Sequence, residues 1–317
     1  MLAEQLRSGL VETIHDGAVA VVDHAGDLVA ASGDIDRPFY IRSSAKPFQA
    51  TIAQESGANL GPLEMAMACA SHRGYPVHIA LVRSMLERAG LDQSDLRCPE
   101  DWPLGVGARE MAIRAPGSSQ RRIWHNCSGK HAAFLATCRQ MRWPTESYLQ
   151  TDHPLQQEVL NRVGELLALP PAELVTARDD CGAPTLRLRL AQMALLFAHL
   201  GAGEQAELER LCRAMLAHPD LVAGEGRFDT ELMRLAHGQV LSKGGAEGIQ
   251  CLTRVGEGLG LAIKVEDGAA RAKHAVALHL LRQLDWLTPL TLEELAARFL
   301  APAPHLKLEV KGELLFD

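Results

Sequence analysis

Gly17-Ala18-Val19-Ala20-Val21-Val22-Asp23-His24-Ala25-Gly26-Asp27-Leu28-Val29-Ala30-Ala31-Ser32 decides the fold. Two apolar runs containing β-branched residues flank His24-Ala25-Gly26-Asp27, a turn-like composition, so the stretch reads as a hairpin. A second pair of strands, 249–255 and 259–265, stands near the other end, joined by Gly256-Glu257-Gly258. Between them, from Ser44 to about Ala217, apolar residues recur at helical spacing in 64–71, 77–89, 131–139, 156–168, 185–200 and 205–217. Pro and Gly punctuate these segments. A helix over 269–284 follows the second hairpin, with an apolar face at Ala272, Ala275, Val276, Leu280 and Leu284. Strands at both ends bracketing a helical middle imply an α/β (α+β) fold. Its mixed or antiparallel sheet is assembled from both termini, flanked by helices, with a large helical region inserted. We expect a single domain, sheet-containing over about 1–60 and 238–317 and helical over about 61–237. The closing stretch 306–316 reads as an edge strand or a tail.

The chain has 317 residues, 47% of them hydrophobic, which is ample material for a core. Its net charge of -7 argues against a nucleic-acid backbone as partner. No run approaches the ~18 apolar residues of a membrane span. The first nine residues are polar and charged, unlike the apolar core of a signal peptide. Seven cysteines, an odd number scattered along the chain, suggest reduced thiols in a cytoplasmic protein.

Four segments carry the chemistry. Arg42-Ser43-Ser44-Ala45-Lys46-Pro47-Phe48 contains S-x-x-K at a helix start, and side chains three apart share a helix face. A serine hydroxyl attacks only when a base removes its proton, and a lysine serves as that base when burial or a nearby cation favours its neutral form. The same residues also read as a helix cap followed by a solvated lysine. Ser242-Lys243-Gly244-Gly245, just before the second strand pair, is similar to the K-[ST]-G motif that faces S-x-x-K in serine β-lactamases, with Gly244 in place of the hydroxyl residue. Its plain alternative is a glycine-rich turn. His125-Asn126-Cys127-Ser128-Gly129-Lys130-His131 and Arg178-Asp179-Asp180-Cys181-Gly182-Ala183-Pro184 place two cysteines in polar loops. Thiolates are good zinc ligands, but the spacing alone equally fits two loop thiols without metal. Ser71-His72-Arg73-Gly74 ends a helix, where His72 and Arg73 suit the helix C-terminus.

Together these segments resemble the Rhizobium-type L-asparaginase II family. The resemblance runs from Arg7-Ser8-Gly9-Leu10-Val11-Glu12 and His15-Asp16-Gly17 through the four segments above. It continues over Arg227-Phe228-Asp229-Thr230 and Lys243-Gly244-Gly245-Ala246-Glu247-Gly248 to Lys264-Val265-Glu266-Asp267-Gly268. It implies a fold similar to serine β-lactamases and glutaminases, and hydrolysis of L-asparagine to aspartate and ammonia. It also implies two Ser–Lys pairs, Ser43 with Lys46 and Ser71 with Lys243. A metal position, usually zinc, maps to Cys127, Lys130 and Cys181. On this basis Arg42, His72, Asp179, Asp180, Gly244 and Gly245 are candidate substrate contacts, with Arg73 and Arg178 as further carboxylate clamps, and a homodimer is expected. The built-in base of S-x-x-K ranks Ser43 ahead of Ser71 as nucleophile. The competing readings are another acyl-transfer hydrolase on the same scaffold, such as a glutaminase or a β-lactamase-like enzyme, and a non-catalytic amino-acid- or zinc-binding protein.

Overall fold

In the computed structural model the chain begins with a hairpin of β1 (Ala3–Arg7) and β2 (Leu10–His15). Ser8 and Gly9 between them both have positive φ, 50° and 85°, the backbone that a two-residue hairpin loop demands. The expected hairpin follows as β3 (Gly17–Asp23) and β4 (Leu28–Ser32), then a short β5 (Phe39–Tyr40). Next come α1 (Lys46–Glu55), α2 (Pro62–Ala68), α3 (Pro76–Arg88), α4 (Val106–Arg114), α5 (Ser128–Met141) and α6 (Pro154–Leu167). Strands β6 (Val175–Arg178) and β7 (Pro184–Leu188) precede α7 (Leu190–Ala202), α8 (Ala206–Ala217), α9 (Pro219–Ala223) and α10 (Phe228–Leu235). Then β8 (Val240–Gly244), β9 (Ile249–Arg254), β10 (Leu259–Val265), α11 (Ala270–Gln283), α12 (Pro289–Phe299), β11 (Leu306–Val310) and β12 (Leu315–Phe316) close the chain. The structure describes residues 1–300 and 303–311, and the backbone of 315–316.

Two compact units result: Met1–Ser44 with Arg187–Gln205 and Glu231–Asp317, and Ala45–Leu186 with Ala206–Thr230. The first is built on a six-stranded sheet in the order β12-β4-β3-β10-β9-β8, and a three-stranded sheet β11-β1-β2 accompanies it. The pairs of both sheets are antiparallel; β3 and β10 pair from Gly17↔Val265 to Asp23↔Leu259. Ala18, Val19, Ala20, Val21 and Val22 are all buried, so the centre of the sheet is covered on both faces. The apolar helix α7 packs on β3, β9 and β10, and α11 also meets β9 and β10.

The second unit is helical. Eight of the ten residues of α1 and most of α5 are buried, which is the signature of helices surrounded by others. α2, α3 and α6 pack against them, and α8 packs on α1 and α2.

The mixed α/β architecture with antiparallel sheets is as expected, with one local correction and two details. Residues 185–188 form a strand, not the start of a helix. The alternation Leu186-Arg187-Leu188 fits a strand, and β7 pairs with β5 at Phe39↔Leu188 and Tyr40↔Arg187. Ser242, Lys243 and Gly244 lie within β8, paired with β9, so this segment takes the strand setting of the motif it is similar to and not the alternative of a turn. The 306–316 stretch begins as a strand on β1, and β12 pairs with β4; residues 312–314 lie outside the described residues. Among the described residues no helix is long and apolar enough to cross a membrane.

Candidate active site

The sheet unit holds one group of the candidate residues. Arg42–Ala45 form a single 3-10 turn leading into α1. Arg42 has φ of 54°, a left-handed conformation that costs a non-glycine residue energy and often marks functional sites. Ser43 follows it, half-buried. Ser44 is buried, and its Oγ donates to the Lys243 carbonyl at 2.8 Å, which ties this turn to β8. The Lys243 side chain is 1% exposed and donates to the Gly244 carbonyl at 2.8 Å. A Cβ on Gly245 would stand 2.9 Å from the Ile41 carbonyl oxygen. The missing side chain therefore lets the end of β8 approach the turn that carries Ser43.

The helical unit, described by itself, holds another group. Lys46 opens α1 and is also 1% exposed. Its Nζ donates to the Ala70 carbonyl at 2.6 Å and meets the Ser71 Oγ at 3.0 Å. Both partners are neutral oxygens, and no carboxylate pairs with it among the described residues. Ser71 lies just past α2, its backbone N–H held by the Val222 carbonyl at 2.8 Å. His72 is fully buried. Its Nδ1 accepts from the Gly74 N–H at 3.1 Å, so Nε2 carries the proton and donates to Ser128 Oγ at 2.8 Å. Ser128 in turn donates to the Ile123 carbonyl at 2.8 Å. Burial, with His78, Lys46 and His125 nearby, pushes His72 well below the ordinary histidine range. The ring is thus neutral, and both its nitrogens are committed to the protein. Arg73 donates to the Leu104 carbonyl, and Arg178 lines a separate cavity of about 530 Å³ with Arg97 and Gln150.

One turn of α5 brings the second cluster together. Cys127 caps this helix, Lys130 lies three residues on, and Cys181 sits in the β6–β7 turn closed by Asp179 N–H to the Ala183 carbonyl. Gly129, between Cys127 and Lys130, has no room for a side chain, because a Cβ there would stand 2.3 Å from the Met67 carbonyl oxygen. Lys130 Nζ donates to Cys181 Sγ at 3.1 Å, and Asp179 Oδ2 is 4.0 Å from the same sulfur. Asp180 is exposed, with its N–H on Asp179 Oδ1. The hydrogen bond from the Cys127 thiol holds Cys181 far down as a thiolate, with Lys130 assisting. That same bond, together with burial, pushes Cys127 well up. Burial also opposes the charge of Lys130, but Cys181, Cys127 and Asp179 outweigh it and the amine is raised. By contrast Cys98, Cys138 and Cys212 are ordinary buried thiols pushed up to about 12.

The profile of the L-asparaginase II family matches residues 3–316. The chain belongs to the L-asparaginase II family. Membership makes this L-asparaginase II family protein a hydrolase of the asparaginase type. Its sequence has no match among curated proteins. Among solved structures it is similar to a β-lactamase from Mycobacterium bovis, at 16% identity over 84% of this chain and 94% of that one, with a TM-score of 0.37. It is also similar to simvastatin synthase (LovD) of Aspergillus terreus in its LovD9 mutant, at 12% identity, 84% and 95% coverage and a TM-score of 0.31. At such values the fold rests on the strand pairings given above.

Zinc can be tested against the residues of this family member. Among the described residues no three His, Cys, Asp or Glu side chains are arranged to hold a metal. The available donors are instead two thiols and an amine. Both thiols are buried, the groups around Cys181, Cys127 first, favour its thiolate form against burial, and the Lys130 nitrogen lies 3.1 Å from that sulfur. This soft donor set fits zinc, provided that Cys127 and Lys130 give up their protons on binding. His131, next to Lys130 in sequence, lies with its Nδ1 2.7 Å from Tyr148 Oη. Tyr148 is distant along the chain and carries no motif, so nothing local marks it.

Proposed function

We propose that the protein hydrolyses L-asparagine to aspartate and ammonia by serine nucleophilic catalysis. The observation that carries this reading is Lys46, an amine buried with only neutral oxygens around it and in contact with Ser71 Oγ. In this reading Ser43, placed by S-x-x-K spacing and preceded by the left-handed Arg42, attacks the side-chain carbonyl of asparagine. Its proton passes to Lys46, directly or through Ser71. The tetrahedral oxyanion collapses, the amide nitrogen takes up the proton and leaves as ammonia. Water then enters and gives a proton to Lys46 as its oxygen adds to the acyl carbon. Lys46 passes that proton to Ser43 Oγ as the ester bond breaks and aspartate leaves. Lys243, buried one strand residue from Gly244, supplies positive charge on the β8 side. Asp179, Asp180 and Arg42 are the polar side chains proposed to select the amino-acid end of the substrate.

Cys127, Lys130 and Cys181 would hold the zinc ion. When bound, it would supply a fixed positive charge that anchors a polar end of the substrate. We further propose a cytoplasmic homodimer without nucleic-acid or membrane partners. The test is ammonia release from L-asparagine and, separately, from L-glutamine. A higher kcat/KM for asparagine supports the reading, and a preference for glutamine would replace it with a glutaminase. Pocket shape alone discriminates one methylene by about 10–200-fold.

A further inference from the structure

The loop before α6, strand β6 and Arg97 line a cavity of about 530 Å³ in the helical unit. That lies within the range of about 300–1,000 Å³ usual for small-molecule sites. Neither Lys46 nor Ser71 lines it. Its frame is held in place by buried hydrogen bonds. Tyr148 is fully buried; its Oη accepts the Arg97 backbone N–H at 2.9 Å, and its carbonyl accepts from Gln156 Nε2 at 2.8 Å. These bonds tie Arg97 to the loop and the loop to α6. Thr176 and Arg178 stand two apart on β6 and so share a face of the strand. Gly182 completes the wall in a left-handed conformation, and a Cβ there would stand 3.1 Å from the Leu149 side chain and 3.8 Å from Arg178 Nη2.

Three charged side chains line this cavity, Arg97, Arg178 and Glu146, and among the described residues no ion pair joins them. Arg97 spends one donor on the Ser94 carbonyl at 3.2 Å, and Glu146 accepts only from the Thr145 hydroxyl at 3.4 Å. Arg178 has no side-chain hydrogen bond or ion pair among the described residues. A guanidinium carries five donors in a fixed fork and keeps its charge, so both arginines have donors to spare for carboxylates. Opposite charges that share one cavity without pairing complement a ligand that itself carries both signs. We propose that this cavity binds a free acidic amino acid, with Arg97 and Arg178 on its two carboxylates and Glu146 on its ammonium group. L-Aspartate is of this class. The site is separate from the hydrolytic one, and its binding does not depend on the function proposed above.

Titration calorimetry of the full chain with L-aspartate, succinate and inorganic phosphate tests this, with circular dichroism confirming that each variant is folded. Succinate keeps both carboxylates and lacks the ammonium group. L-Aspartate should bind at least about 10-fold more tightly than either of the others, the scale of one hydrogen bond to a charged group. Arg97→Ala and Arg178→Ala should each weaken aspartate by at least about 10-fold. A second aspartate held at the hydrolytic site would persist in both variants. Glu146→Gln should weaken aspartate and leave succinate as it was or tighter. No binding of aspartate by the wild type, or binding unchanged in number and affinity in both arginine variants, overturns the proposal. Succinate or phosphate as tight as aspartate, or equal weakening of aspartate and succinate in Glu146→Gln, contradicts a site for an amino acid. Ammonia release from L-asparagine by Arg97→Ala should match the wild type; a loss in step with aspartate binding would make the cavity part of the hydrolytic site and end the proposal. A wild type that releases no ammonia removes the proposed function alone, and the response of aspartate binding to Arg97→Ala then still decides this site.

Discussion

Lys46 Nζ and Ser71 Oγ stand 3.0 Å apart in the interior of the helical unit, with the Ala70 carbonyl as the amine's other partner. S-x-x-K spacing assigns this lysine to Ser43, and the structure gives it a contact with the second serine. The proposed mechanism asks one lysine to serve both serines. Lys46→Met, which keeps the length of the side chain and removes the amine, is expected to lower kcat for asparagine by about 10²–10⁴-fold, the range for a general base. Steady-state kinetics on folded variant protein checks this, and a kcat within threefold of wild type would remove Lys46 from the chemistry. Ser71→Ala is expected to lower kcat with little change in KM if it relays protons.

His72 gives the stability a pH dependence with a defined sign. Its folded-state pKa lies below the ordinary 6.5, chiefly through burial, and the stacked His78 ring, also lowered by burial, is 5.4 Å away. Below about pH 6.5 the unfolded chain takes up protons that the folded protein refuses, so stability falls with acidification and is complete above that pH. Urea unfolding at pH 7 and pH 5 should show a lower midpoint at pH 5, and a smaller difference in His72→Gln. Equal differences in the two proteins would show that His72 ionises freely in the fold.

Two glycines are expected to respond oppositely to alanine. At Gly129 the new methyl meets the Met67 carbonyl oxygen at 2.3 Å and the Met67 side chain at 2.7 Å. Gly129→Ala should cost at least the 1–3 kcal/mol typical of overpacking and disturb the turn between Cys127 and Lys130. At Gly107, inside α4, the nearest atom is Tyr75 at 3.8 Å, so Gly107→Ala should stabilise the protein by up to about 1 kcal/mol through helix propensity. Thermal melting of both variants checks the pair.

Metal content separates the cysteine classes. Cys127→Ser and Cys181→Ser are each expected to abolish zinc retention through gel filtration, whereas Cys138→Ser, at an ordinary buried thiol, should retain it. Metal analysis of the purified variants decides this. Retention in Cys181→Ser would take that sulfur out of the site.

Much of this arrangement is legible in the sequence because it is local. The β3–β4 and β9–β10 hairpins announce themselves by apolar runs around glycine turns, and Ser43, Lys46, Cys127 and Lys130 by motif spacing. The β1–β2 hairpin carried a comparable signal in Ser8-Gly9, and β7 in the alternation around Arg187. What no motif reveals is pairing across the chain. The contact of Lys46 with Ser71, the approach of Lys130 to Cys181 and the seat of His131 on Tyr148 are set by how α1, α2, α5 and the β6–β7 turn pack. Gly245 reads in the sequence as a turn glycine or a substrate contact, and the neighbour its missing side chain admits is the Ile41 carbonyl.

Ammonia release at saturating L-asparagine, measured for the wild-type protein and for Ser43→Ala, tests the central claim most directly. The wild type should turn over steadily, and Ser43→Ala should lose at least about 10³-fold in kcat, the scale on which an attacking group matters. Near-normal turnover by Ser43→Ala, or no ammonia from the wild type with and without zinc, would contradict a Ser43-dependent asparaginase.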